Sequence, residues 1–215
     1  TVNLGGTVKF DAANNVNLSD LHLLLKDKLA TEKGALVKTG GGTLTLSGKH
    51  QYTGDTSVEA GTLAFLVTGD VLSFDSKLII KTNAVVDLGL TTQTIKVVSL
   101  EGGTIKTGAL KGAINSKGGM IDGLLGGSIA SLSADLGSTT LNGTSTFTSI
   151  IVKDRATLIL NDASAVSSAT ISAIADGTML LSSSPVLAST SNTITLSSVA
   201  GLKVNGMLKG TGIPE

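Results

Sequence analysis

Residues Leu36 to Phe65 read Leu-Val-Lys-Thr-Gly-Gly-Gly-Thr-Leu-Thr-Leu-Ser-Gly-Lys-His-Gln-Tyr-Thr-Gly-Asp-Thr-Ser-Val-Glu-Ala-Gly-Thr-Leu-Ala-Phe. Val37, Leu44, Leu46, Val58, Leu63 and Phe65 are short apolar beats separated by Thr, Ser and Gly. That is the period-two signature of a half-buried strand, not the 3.6 period of a helix. Gly40 to Gly42, Gly48, Gly54 and Gly61 end each beat after a few residues. Such a chain turns often and pairs strands in between.

The composition around this stretch narrows the architecture. With 215 residues, 41% hydrophobic and 15% charged, the chain has ample material for a core, so disorder is not its main state. Its five aromatic residues are Phe10, Phe65, Phe74, Phe147 and Tyr52, against 27 Gly and 2 Pro. A compact enzyme carries more aromatic area in its core and pocket walls. Here Leu, Ile and Val do the packing, and small and β-branched residues in recurring positions suit a narrow interior. A parallel β-solenoid has such an interior.

Charge excludes further classes. Sixteen Lys plus Arg balance sixteen Asp plus Glu, and Arg155 is the one arginine. Nucleic acid is not an expected partner, because neither clustered cations nor interleaved aromatics are present. With no Cys, disulfide frameworks and thiolate metal sites are out. No stretch of about 18 apolar residues exists, so no membrane insertion by this chain is expected. It begins at Thr1 without Met and stops at Ile213-Pro-Glu215 in mid-pattern, and both ends read as cut from something longer.

In chain order, Val2, Leu4, Val8 and Phe10 around Gly5-Gly6 read as two short strands. Residues 19–29 admit two readings. Ser19 caps a short helix with Leu21, Leu24, Leu25 and Leu29 near one face, or Leu21, Leu23 and Leu25 alternate as a strand. Further on, Ile79, Val85, Leu88, Ile95, Val97, Leu100, Ile105, Leu110, Ile114 and Ile121 keep the apolar beat, with turns at Gly102-Gly103, Gly118-Gly119 and Gly126-Gly127. A shift of 95 residues places Leu46 on Leu141, Gly48 on Gly143, Tyr52 on Phe147, Thr53 on Thr148, Thr62 on Thr157 and Leu63 on Leu158. This marks a second, degenerate copy of the repeat. Residues 162–192 turn towards Ala and Ser, and the tail from Thr193 offers two further strands.

Val37-Lys-Thr-Gly40, Gly42-Thr-Leu-Thr-Leu-Ser-Gly48, Tyr52-Thr-Gly-Asp-Thr56 and Ala60-Gly-Thr-Leu63 resemble the autotransporter-associated β-strand repeat, also called the passenger-associated transport repeat, of secreted passenger domains in Gram-negative bacteria. Asn83-Ala-Val-Val-Asp-Leu-Gly89, Thr92-Gln-Thr-Ile95 and Gly102-Gly-Thr-Ile105 extend the resemblance to about residue 108, with Leu88 standing where the family often has Asn before Gly. The resemblance implies a right-handed, single-stranded parallel β-helix, displayed at or shed from the cell surface. It also implies a repeat that aids passenger folding and export. Glycines recurring where coil turns fall support the architecture independently, at roughly 20 to 25 residues per coil.

No residue stands out as catalytic, cofactor-binding or metal-binding. His22 and His50 lie in unlike segments without the spacing of a two-histidine metal site, and read as ordinary surface or turn residues. Asp70 with Asp75, and Asp154 with Asp162, are the nearest carboxylate pairs and read as solvated turn residues. Polysaccharide lyases share the β-helix, but Arg155 has only Lys153 and Asp154 as close charged neighbours. Gly118-Gly-Met-Ile-Asp122 is a lone echo of a calcium-binding nonapeptide, and Gly40 to Gly42 lack the ending of a phosphate loop. Tyr52 and Phe147 read as interior or coil-edge aromatics in equivalent places.

The sequence therefore leads to an all-β, right-handed parallel β-helix: N-terminal strands and a short helix or cap over 1–33, coils with a clear and a degenerate repeat over 34–161, and C-terminal coils over 162–215. The expected role is a non-enzymatic stalk or display region of a secreted or surface protein, with an outer-membrane β-barrel elsewhere in the parent. An adhesin is the first alternative and a polysaccharide lyase or hydrolase the second. The expected partners are a second copy of the chain or a host or cell-surface ligand, with no cofactor.

Overall fold

The computed structural model describes residues 2–11, 13–14, 16–17, 25–66, 69–89, 91–122, 131–142, 147–153, 155–161, 170–173, 178–181, 195–196 and 202–204. The first strands are β1 (Val2–Leu4), β2 (Thr7–Asp11), β3 (Val16–Asn17), β4 (Leu25–Asp27), β5 (Ala35–Thr39), β6 (Thr43–Leu46), β7 (Thr56–Val58) and β8 (Gly61–Phe65). The middle of the chain gives β9 (Lys77–Lys81), β10 (Ala84–Asp87), β11 (Thr92–Glu101), β12 (Thr104–Lys106), β13 (Ala109–Ser116), β14 (Gly119–Asp122), β15 (Ser131–Ala134) and β16 (Gly137–Asn142). The last are β17 (Ser149–Val152), β18 (Ala156–Leu160), β19 (Thr170–Ala173), β20 (Thr178–Leu181), β21 (Thr195–Leu196) and β22 (Leu202–Val204).

These strands build two ten-stranded sheets in which each coil gives one strand to each. The first sheet runs β2-β5-β7-β9-β11-β13-β15-β17-β19-β21, and the second runs β3-β6-β8-β10-β12-β14-β16-β18-β20-β22. Every ladder is parallel, so the chain is the all-β parallel β-helix expected from its sequence. Coil length varies around one turn. Thr43 pairs with Thr62, 19 residues on; Thr104 pairs with Met120, 16 on; Val16 pairs with Leu44, 28 on.

Parallel register stacks each inward side chain on its counterpart one coil away. In the second sheet Leu44, Leu63, Val86, Ile105, Ile121, Leu141 and Leu160 share one register position, and all are buried. In the first sheet Leu36, Thr56, Leu78, Val98, Ile114, Leu132 and Ile150 do the same. Fully burying one such aliphatic side chain is worth about 1.5–3 kcal/mol. These two columns are the spine of the core, which neighbouring inward residues such as Leu46, Val58, Ile80, Leu88, Leu100 and Leu158 widen.

The apolar beat read from the sequence needs one correction. Val37, Ile79, Val85 and Val97 face outward and are only partly buried, while Leu36, Leu78, Ile80, Val86 and Val98 point in. Adjacent apolar residues carry no phase of their own, so the choice of face falls to the register of neighbouring coils. The 95-residue repeat is also shifted. It spans five coils, but the ladders set Val58 against Val152, 94 residues on, and Leu63 against Leu160, 97 on. Tyr52 and Phe147 are nonetheless both buried where the chain enters the first sheet, as expected.

The early coils carry a third, shorter face. β1 pairs with β4 in parallel, and β4 is a strand at the place where a helix or a strand was expected; residues 18–24 lie outside the described residues. Beyond β4 the face is continued partly by side chains that imitate a neighbouring backbone. The backbone N–H of Gln51 donates to the Leu25 carbonyl (2.7 Å), and that of His50 to the Val71 carbonyl (2.8 Å). Gln93 Oε1 accepts the Val71 amide (2.8 Å) while Nε2 donates to the Gly69 carbonyl (2.7 Å). Buried backbone groups need partners whatever supplies them.

The corners rest on left-handed residues. Gly61 enters β8 at φ 68°, and a Cβ there would lie 2.4 Å from the carbonyl oxygens of both Gly40 and Gly42 in the coil before. Only glycine meets both conditions. Gly61→Ala is expected to destabilise the protein by more than about 1 kcal/mol, read as a lower denaturant midpoint, because it combines backbone strain with a clash against rigid carbonyls.

Candidate functional surfaces

Among the candidates weighed from sequence, His22, Asp154 and Asp162 lie outside the described residues. Asp70 accepts the Thr94 amide and so serves the corner between coils. Asp75 sits in an exposed turn beside Phe74. Gly118 and Gly119 turn the chain into β14, at whose far end Asp122 is exposed. Among the described residues no group of three or more His, Cys, Asp or Glu is placed to hold a metal ion.

His50 departs from the surface position expected for it. It is buried, accepts the Leu25 amide on Nδ1 at 3.2 Å, and lies 6.3 Å from the Tyr52 ring between centroids. Burial pushes its pKa below the ordinary 6.5. The Tyr52 hydroxyl is 2.7 Å from Thr56 Oγ1, and burial pushes its pKa well above the usual phenol range.

Lys38 is the residue that sequence reading missed. It occupies an inward position between Phe10 and Val58 and is wholly buried. Its Nζ donates to the carbonyls of Thr39 (2.7 Å), Gly40 (2.7 Å) and Ala60 (3.0 Å). An ammonium has three N–H donors, and here each has an acceptor. Burial pulls its pKa down, with Asp11 pulling the other way. The side chain pins the corner of one coil to the corner of the next. Leu36, two positions earlier, shares its inward phase, but adjacent Val37 offers the opposite one, so the sequence alone does not mark Lys38.

On the outer edge of the first sheet, Lys81, Glu101, Lys117, Asp135 and Lys153 follow one another in successive coils with alternating sign. The strand register aligns Lys81 with Glu101, and the amides of Lys117, Asp135 and Lys153 donate to Leu100, Ser116 and Ala134 of the preceding coil. Lys81 pairs with Glu101 Oε2, Lys117 approaches Glu101 Oε1 (3.6 Å), and Lys153 meets Asp135 Oδ1 (2.7 Å). Ser99 and Ser133 add hydroxyl donors to Glu101 and Asp135. The Lys81 hydrogen bond lowers the Glu101 pKa most. For Asp135, burial works upward but is outweighed by Lys153 and Ser133. Exposed pairs of this kind are each worth about 0–1 kcal/mol and act as a network.

A parallel β-solenoid with a continuous aliphatic interior and self-paired edge charges is the class of protein that this geometry defines. Within it, residues 36–65 match the family model of the passenger-associated-transport-repeat, so the resemblance noted there is borne out. The match runs from the first inward residue of β5 to the last of β8 and covers the four strands of two consecutive coils. The looser resemblance over 83–108 lies outside it. Neither the curated proteins nor the solved structures contain a match to this chain.

Two outcomes test these assignments. Lys38→Met keeps the aliphatic stem but orphans three carbonyls, and should cost about 1–3 kcal/mol with an unchanged denaturant slope. A gain in stability would mean that burying the ammonium costs more than its contacts return. The carboxylates Glu101 and Asp135 have lowered folded pKa values, so their contribution is complete above the ordinary carboxylate range. It is lost as the pH falls through the lower folded values. Glu101→Gln with Asp135→Asn should therefore flatten the acid-side fall of the thermal midpoint below about pH 4.5.

Proposed function

We infer that this chain is a structural stretch of the passenger region of a secreted or cell-surface protein of Gram-negative bacteria. It acts as a stalk or display rod without enzymatic activity, and its repeat assists folding and export. The observation that carries this reading is the two-coil repeat over residues 36–65, whose inward residues continue the aliphatic columns of the coils on either side. A coil in a solenoid buries its apolar face only against the coil next to it. A self-consistent pair of coils, pinned by Lys38 and turned at Gly61, offers its neighbours a template for backbone pairing. The parent chain is expected to carry an outer-membrane β-barrel that anchors the rod.

Deletion within the full parent protein tests the role of the repeat. Removing residues 36–77 excises two coils and joins register-equivalent positions, since Leu36, Thr56 and Leu78 share one column. Removing 104–139 excises two coils elsewhere in the same manner, since Thr104, Met120 and Thr140 share another. Surface display, measured by protease accessibility on intact cells, should fall much further for the first deletion than for the second. Equal loss would reduce the repeat to ordinary coils.

A further inference from the structure

β4 meets the matched repeat and the segment just before it through two sets of hydrogen bonds, one at each end. At the Leu25 end, His50 Nδ1 accepts the Leu25 amide at 3.2 Å, and the Gln51 amide donates back to the Leu25 carbonyl at 2.7 Å. At the other end, Asp27 Oδ1 accepts the amides of Gly34 (2.7 Å) and Thr53 (3.0 Å), and Oδ2 accepts the Thr53 hydroxyl (2.7 Å). An Nδ1 that accepts a hydrogen bond carries no proton, so the neutral ring holds its hydrogen on Nε2. That Nε2 is buried and, among the described residues, has no hydrogen-bond partner.

Protonation would therefore set one N–H against another at Leu25 and bury a cation. Among the described residues, the ionisable groups on the neighbouring segments offer it no counter-charge. On its own segment Lys49 is exposed, and the Tyr52 hydroxyl is engaged with Thr56. On β4, Asp27 is occupied by Thr53 and Gly34. On the segment of Val71, Asp70 is occupied by the Thr94 amide.

We propose that His50 is an acid-sensitive latch, whose protonation releases β4 and the β1–β4 pair from the repeat while the coils beyond remain folded. A solenoid coil touches only its neighbours, so one end can open without the rest. The sign follows from the burial of the ring. The closed state favours neutral imidazole, so closure is at full strength above the ordinary histidine value of 6.5 and is lost as the pH falls below it. Opening rises by up to about tenfold for each pH unit below that value, until the closed-state pKa is reached. The latch stands independently of the passenger reading, because it rests on the contacts of β4 alone.

Hydrogen exchange on the intact chain tests it, with protection normalised to the intrinsic rate at each pH. Between about pH 7.5 and about pH 5.5, residues 25–27 should lose roughly tenfold in protection while β12 to β14 keep theirs. His50→Gln retains an acceptor for the Leu25 amide but cannot titrate, and should abolish that loss. The same loss in H50Q, no loss in the unaltered protein, or a loss shared by all coils would each overturn the latch. Direct titration of the His50 imidazole by NMR in the unaltered protein is the second measurement. A pKa at or above the ordinary value would overturn the latch even if H50Q failed to fold.

Discussion

Backbone pairing between successive coils fixes everything else in this molecule. Once Leu44 is set in register with Leu63, and Leu63 with Val86, the inward position of one coil becomes the inward position of all. A side chain must then fit a column as well as a site. This explains why the interior is dominated by Leu, Ile and Val, and why its large aromatics lie at strand margins, Tyr52 and Phe147 at the entry to the first sheet and Phe65 at the end of β8. It also explains Lys38. Its place in the column is dictated by Phe10 and Val58, and its charge is tolerated because the corner carbonyls lie within reach.

Much of the fold could be read in the sequence because period-two alternation and turn glycines are local signals. Gly42-Thr-Leu44, Gly61-Thr-Leu63 and Gly103-Thr-Ile105 mark strand starts in separate coils, and two of them pair directly. Phase was harder to read. In Leu36-Val37-Lys38 the hydrophobicity scale favours the wrong residue as the second inward beat, and only the coils on either side decide. The 95-residue repeat missed the true offsets for a related reason. Loops absorb single residues between strands, so one shift cannot align both sheets.

The polar features were less legible still. His50 and Gln93 act by standing in for backbone, a role with no residue pattern, since any acceptor of suitable length satisfies a lone amide. The edge charges are 16 to 20 residues apart in sequence and look unrelated until the coil lengths are known.

That edge has a property of counting. Signs alternate from coil to coil, so a chain that skipped one coil while winding would lay Lys81 beside Lys117, or Glu101 beside Asp135. Skipping two coils would restore opposite charges. The edge thus works as a parity check on assembly: it opposes slips by odd numbers of coils and is blind to even ones. The matched repeat supplies the strands of two such coils, so gain or loss of coils in pairs leaves the electrostatic order of the rod intact.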